Sequence, residues 1–458
     1  MLPPFLRAVA SGLVLFALCA CASTSPSIQA KTIDRAALAS QVRAEFQHAW
    51  AGYAQHAWGH DELKPISKSF RDWYSEPLYM TAVDALDSLL LLGFEQEARR
   101  TQAYLVEKLS FDKDVTVQNF EITIRLLGGL LSAYQLTGDR KLLSLAEDLG
   151  RRLLPVFSSP TGMPYRYVNL KTGKTSGAES NPAEIGTLIL EFGTLSRLTG
   201  DPVFFDKAKK ALLEVYRRRS PLGLVGTNIN VETGEWTNTT AQVGAMIDSY
   251  YEYLLKCDRL FGDPDCRRMW DESSSAMKRY LEDQTPRGLW YGVADMHTGR
   301  RTATEFGALE AFLPSVLALG GDVDRARKLQ ASAFRMWTLH TIEPEGIDYA
   351  TERVLYPGYP LRPEIIESTY YLHHYTRDPV YLEMGKTFLD DLVKHCRTEA
   401  GYASLASVLT KEKHDRMPSF FLAETLKYLY LLFAPDALDF EKVVFNTEAH
   451  PLWRTGQR

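Results

Sequence analysis

The chain has 458 residues, 45% hydrophobic and 24% charged, an ordinary globular composition with material for a large core. A formal net charge of −5, with no basic patch interleaved by aromatics, excludes a nucleic-acid partner. Length alone would divide the chain into two or three domains, but an internal period argues for one body.

Residues 1–21 read as a signal peptide. Arg7 precedes an apolar run from Ala8 to Ala20, too short for a membrane span. The sequence Leu18-Cys19-Ala20-Cys21 has the form of a bacterial lipoprotein cleavage box, which makes Cys21 the lipidated first residue. Residues 22–32 are then a linker and residues 33–458 a single domain. Plain secretion after cleavage near Ala22 is the alternative. The expected address is the periplasm or the outer membrane, with a lipid anchor as the only membrane contact.

An amphipathic helix is predicted from about Ile33 to Trp58. Turns then recur at a spacing of roughly sixty residues: Gly93-Phe94-Glu95, Thr137-Gly138-Asp139, Thr199-Gly200-Asp201, Phe261-Gly262-Asp263, Gly320-Gly321-Asp322, Thr376-Arg377-Asp378 and Ala434-Pro435-Asp436. Gly ends one helix in left-handed geometry, and Asp caps the next. The helix before each turn is apolar nearly all round, as in Leu188 to Leu198 and Phe420 to Phe433. The helix after it has one charged face, as in Phe205 to Tyr216. All-round burial suits an inner ring and one-sided burial an outer ring. With the first helix closing the circle outside the last, the predicted fold is an all-α (α/α)7 barrel. An open solenoid is the alternative, and the lack of polar capping repeats counts against it.

Segments such as Met163 to Lys174, Leu224 to Trp236 and Leu289 to Gly299 are short β-branched or aromatic runs ending in Thr-Gly, and read as hairpins. They precede inner helices, so they cluster at one barrel mouth. Cys257 and Cys266 flank the Phe261 to Pro264 turn, where a bridge and two free thiols are both open readings.

Carboxylates occupy the starts of the apolar helices: Asp84 and Asp87, Glu121, Glu184, Asp248, Glu305 and Glu310, Glu364 and Glu367, and Glu424. An unpaired buried carboxylate neutralises, pairs or meets a cation. Each acid has a plain structural reading. Glu121 with Arg125 one turn on could be a helix-tying ion pair, Asp248 a helix cap, and Glu364 and Glu367 acids placed at a helix dipole. Their joint recurrence at one barrel end points to two-carboxylate chemistry, of which glycoside hydrolysis is the common case.

The motif Phe120-Glu121-Ile122-Thr123-Ile124-Arg125 resembles a hallmark of glycoside hydrolase family 47, the class I α-mannosidases. So do Val83 to Asp87, Ala183 to Thr187, Asp248 to Leu254, Leu361 to Ser368, Ser419 to Phe433 and Phe445-Asn446-Thr447-Glu448-Ala449-His450-Pro451. The resemblance runs from about Asp61 to Pro451 with the motifs in family order. Asp61 to Pro65 and Glu367 to Leu372 are most similar to the branch of ER degradation-enhancing mannosidase-like proteins, and the export signal points to a bacterial member.

The resemblance implies an inverting exo-α-1,2-mannosidase with one bound Ca²⁺, acting on oligomannose glycans as a monomer. It implies Glu121 as general acid, Glu364 as general base and Asp248 as a third essential carboxylate that some mechanisms cast as the acid. It implies Thr447 as the metal ligand, through hydroxyl and carbonyl. Glu184, Glu367, Glu424 and Glu448 would hold the metal's waters, Arg362 and Phe420 would contact the terminal mannose, and Arg125 would line the same site. The segment after Pro435 would plug the barrel as a hairpin. Three positions depart from the pattern: Ala308 and Ala311 replace a His and a Cys of many members, and Met246 replaces an Arg. These leave a family disulfide absent and branch specificity open. A protein of this fold that binds mannose glycans without turnover is the alternative function.

Overall fold

In a computed structural model, the structure describes residues 33–455, which from Arg35 onward form one compact unit. The predicted signal segment, Cys21 and the 22–32 linker lie outside the described residues.

Fourteen helical elements alternate between an outer and an inner ring among the described residues. The outer ones are α1 (Arg35–His56), α3 (Glu95–Lys108), α5 (Arg140–Leu153), α7 (Val203–Arg217), α9 (Pro264–Tyr280), α11 (Val323–His340) and α13 (Val380–His395). The inner ones are α2 (Met80–Asp84 and Leu86–Leu91), α4 (Asn119–Ile122, a π turn Thr123–Leu127, and Gly128–Thr137) and α6 (Pro182–Gly186 and Ile189–Thr199). They continue with α8 (Asp248–Phe261), α10 (a 3-10 turn Leu309–Phe312, then Leu313–Leu319), α12 (Glu364–Thr376) and α14 (a π turn Phe421–Thr425, then Leu426–Phe433). This is an (α/α)7 barrel.

Helix α7 shows why the outer ring forms. Phe204, Ala208, Ala211, Leu212 and Val215 recur at helical spacing and are buried, while Lys207 and Lys210 face outward. Burial of a side chain such as Leu212 contributes roughly 1.5–3 kcal/mol. Helix α1 closes the ring. Arg35 Nη2 donates to the Leu432 carbonyl of α14 at 3.2 Å, and Arg43 Nε donates to the Leu92 carbonyl after α2 at 2.7 Å.

The inter-helix turns follow the Gly-then-Asp chemistry. Gly138 takes φ 76° and Asp139 caps α5 through the Lys141 amide, and Asp263 caps α9 through Cys266. A disulfide joins Cys257 to Cys266 across this turn, and Cys396 is a buried free thiol.

The mouth segments differ from simple hairpins. Thr-Gly sits at the turn, not at the end: Asn169, Asn230 and Asp295 each accept two backbone amides of the turn, and the glycines that follow have φ 66–77°. Each hairpin also takes a third strand from the residues just before an inner helix. Thr116–Gln118 pairs with Tyr167–Asn169, Glu179–Ser180 with Asn228–Asn230, and Thr240–Ala241 with Val293–Asp295. These sheets tie neighbouring units together at the mouth where the inner helices begin.

The C-terminal strands Val443–Phe445 and Pro451–Trp453 pair antiparallel, and their turn is bonded into the inner ring. Asn446 Nδ2 donates to the Ile124 carbonyl at 2.9 Å and to Glu191 at 2.8 Å, and Lys427 Nζ donates to the Ala449 carbonyl at 2.7 Å.

Candidate active site

Six of the seven inner helices begin at one cavity of about 380 Å³. Its wall includes Glu121 and Arg125 of α4, Glu184 of α6, Asp248 of α8, Arg362 before α12 with Glu364 and Glu367, Phe420 before α14 with Glu424, and Thr447 and Glu448 of the C-terminal turn. The eleven residues singled out from the sequence therefore share one space. Asp84, Asp87, Glu305 and Glu310 do not line it. The first two lie beneath it, Glu305 sits in a strand, and Glu310 accepts the Gly307 amide at 2.9 Å.

Two of the inner helices carry a π turn at the site, over Thr123–Leu127 and Phe421–Thr425. Such turns re-aim side chains and concentrate at functional sites. Arg125 uses this placement to meet three acids from three parts of the chain. Its Nε donates to Glu121 at 2.9 Å, while its Nη1 pairs with Glu448 and lies 3.7 Å from Asp84. Its guanidinium also lies 5.3 Å from the Trp73 ring and 5.7 Å from Phe420.

Other partners were not visible in the sequence. Glu345 clamps Arg362 through two bonds of 2.8 and 2.9 Å, and Arg362 lies 3.9 Å from Glu364. Arg166 and Gln118 hold Glu184 Oε1 at 2.8 and 2.9 Å. Lys256, fully buried, pairs with Glu252 and lies 3.4 Å from Glu367. Glu252 lines the cavity one turn after Asp248, a spacing that could have drawn attention to it. Arg166 and Glu345 lie outside the helices and carry no periodic signal.

The acids outnumber the cations that face them. Burial pushes Glu364 up to about 8, with Arg362 opposing, and pushes Glu448 up to about 8 against Arg125. Burial likewise raises Glu367 to about 7 and Asp248 to about 6. Glu424 is raised well above the carboxylate range by burial and by the charges of Glu448 and Glu364. Glu364 Oε2 is buried with no protein partner. A group of hard oxygens this crowded favours a cation among them.

Thr447 is held from below. Its amide donates to Tyr253 Oη at 3.2 Å, Tyr253 donates to Glu191 at 2.6 Å, and Asn446 donates to the same Glu191 oxygen. Under the floor, His450 lies between Asp84 and Asp87, and Lys427 lies 2.7 Å from Asp87.

A glycosyl hydrolase family 47 model matches residues 45–454. Alpha-mannosidase I MNS5 of Arabidopsis thaliana is 40% identical, over 93% of this chain and 79% of its own. ER degradation-enhancing alpha-mannosidase-like protein 2 of Mus musculus is 38% identical, over 92% of this chain and 78% of its own. The solved structure of alpha-1,2-mannosidase from Trichoderma reesei superimposes with a TM-score of 0.85 at 30% identity, covering 91% of this chain and 99% of that one.

The comparisons correct one expectation. These relatives are plant, mouse and fungal proteins, and the mouse relative is named for the endoplasmic reticulum, so the periplasmic or outer-membrane address does not stand. A short apolar N-terminal run is a compositional cue and carries no cellular address. Among the described residues no helix is long and apolar enough to cross a membrane.

Proposed function

The chain belongs to glycosyl hydrolase family 47, whose relatives here are named as mannosidases or as mannosidase-like, and on that premise we propose that it removes terminal α-1,2-linked mannose from oligomannose glycans, with inversion and with a bound calcium ion. The observation that carries the reading is the convergence of Glu121, Asp248, Glu364 and Thr447 on one cavity.

In this reading Glu364 is the general base that takes a proton from the attacking water, and Glu121 is the general acid that returns one to the leaving oxygen through a water. Inversion needs such a pair about 6.5–9.5 Å apart, with room for water on the base side. Placement on different inner helices, α4 and α12, permits that separation. Asp248 is a third carboxylate on the same wall. Arg125 orients Glu121, and Arg362, held flat by Glu345, contacts the terminal sugar beside Phe420.

The residues present fit calcium. The cavity wall offers a threonine and several carboxylates but no cysteine or histidine, the oxygen set that calcium takes. Thr447 would hold it directly, and Glu184, Glu367, Glu424 and Glu448 would orient its waters. When bound, the ion supplies coordination for sugar hydroxyls and water. A dication there also favours the ionised form of Glu364, which burial alone disfavours and which a base requires.

Mannose release from α-1,2-mannobiose, measured with calcium and after chelation, tests the reading. Release that stops on chelation is expected. No release in saturating calcium, with mannose binding retained, would leave the chain a glycan-binding protein.

A further inference from the structure

Thr447 lines the cavity, and neither its carbonyl nor its hydroxyl has a hydrogen-bond partner among the described residues. Two unpaired oxygens on one residue suit a hard cation. Their direction is set by the two peptide planes that flank the residue, and each plane is fastened at its N–H.

The plane after Thr447 carries its carbonyl at one end and the Glu448 N–H at the other. No peptide bond among the described residues is cis, and in a trans peptide these two groups point in opposite directions. The Glu448 amide donates to Asn446 Oδ1 at 3.0 Å. Asn446 is fully buried, and its Nδ2 is anchored on the Ile124 carbonyl of α4 and on Glu191 of α6. With the N–H drawn down to this floor, the Thr447 carbonyl is turned away from it.

The plane before Thr447 is fastened by a residue 194 positions away, since the Thr447 amide donates to Tyr253 Oη at 3.2 Å. A phenol has one proton to give, and Tyr253 gives it to Glu191 Oε1 at 2.6 Å. Its lone pairs are thereby left for the amide. Tyr253 is fully buried on α8 and is not part of the cavity wall, so it reaches neither sugar nor ion itself.

We propose that Tyr253 is a positioning residue for calcium: its hydroxyl, oriented by Glu191, holds the peptide before Thr447 so that both ligand oxygens are set before the ion arrives. The proposal rests on the reading of Thr447 as the residue that holds calcium directly. Supports of this kind, one step behind a metal ligand, typically change metal affinity by about 10–100-fold.

The experiment measures calcium affinity by calorimetry on chelator-stripped protein, with no substrate present. Tyr253→Phe keeps the ring and loses only the hydroxyl, and its Kd for calcium is expected to rise at least about tenfold. Glu191→Gln keeps a carbonyl that accepts from Tyr253, and its Kd is expected to stay within about twofold of the parent's. Thermal unfolding in chelator and in calcium gives a second readout: calcium should raise the midpoint less in Tyr253→Phe than in the parent. A Tyr253→Phe protein with the parent's Kd would overturn the proposal, and so would one that loses stability in chelator while its Kd is unchanged. A parent that binds no calcium would instead remove the calcium reading, and the role of Tyr253 with it.

Discussion

Nδ1 of His450 lies 2.7 Å from Asp87 Oδ2, across 363 residues of chain. On the other side of the ring, Nε2 lies 3.4 Å from Asp84 Oδ1. A carboxylate at each nitrogen favours the charged imidazolium, which donates from both. Asp84 in turn lies 3.7 Å from Arg125, which holds Glu121. The C-terminal turn and the proposed acid are thus linked through one buried chain of charge.

That chain sets the first prediction. Burial opposes the charge on His450, but Asp87 and Asp84 outweigh it and hold the group up at about 9. A folded value above the ordinary 6.5 stabilises the fold fully below pH 6.5, and the contribution is lost as pH rises through about 9. Replacing His450 with Gln leaves two buried carboxylates short of a partner and is expected to cost about 3 kcal/mol at pH 6. Urea unfolding at pH 6 and pH 9.5 checks it. The gap between variant and parent should narrow at the higher pH, and a gap that widens would contradict the charged ring.

The identity of the proton donor is open to a leaving-group test. A general acid supplies roughly 10²–10⁴-fold, and that help matters little when the leaving group is already a good one. Glu121→Gln is expected to lose about 10³-fold on mannobiose but less than about tenfold on an activated aryl α-mannoside. Asp248→Asn should lose activity on both substrates alike. If the rescue appears in Asp248→Asn instead, the two roles exchange.

Glu191 offers a prediction away from the cavity wall. Burial raises it to about 7, against the hydrogen bonds from Tyr253 and Asn446. One oxygen accepts both bonds, and the other is buried without a partner. A raised carboxyl favours the fold below its ordinary value of 4.5, and the advantage disappears as pH rises through about 7. Glu191→Gln keeps the acceptor and cannot ionise, so it should be more stable than the parent at pH 8, by at most about 3 kcal/mol. At pH 4 the two should be nearly equal. Chemical unfolding at both values measures the difference, and equal stability at pH 8 would mean that Glu191 ionises without penalty.

The ring and the positions of its acids were legible along the chain, because both signals are local. Helical burial stripes such as that of α7 and the Gly138-Asp139 type of turn depend on residues a few positions apart, so seven repeats could be read along the chain. The Asp248 and Glu364 acids were legible for the same reason, as carboxylates opening apolar helices. Which groups meet depends on the folded arrangement. Arg125 gathers Glu121, Asp84 and Glu448 from three separate segments, and Glu345 and Arg166 reach the site from outside the helices. That arrangement also sets Asp84 and Asp87 beneath the cavity and not in its wall. A helix period states which face is buried, but a charge pair depends on the distance between faces of different elements, and that distance exists only once the ring has closed.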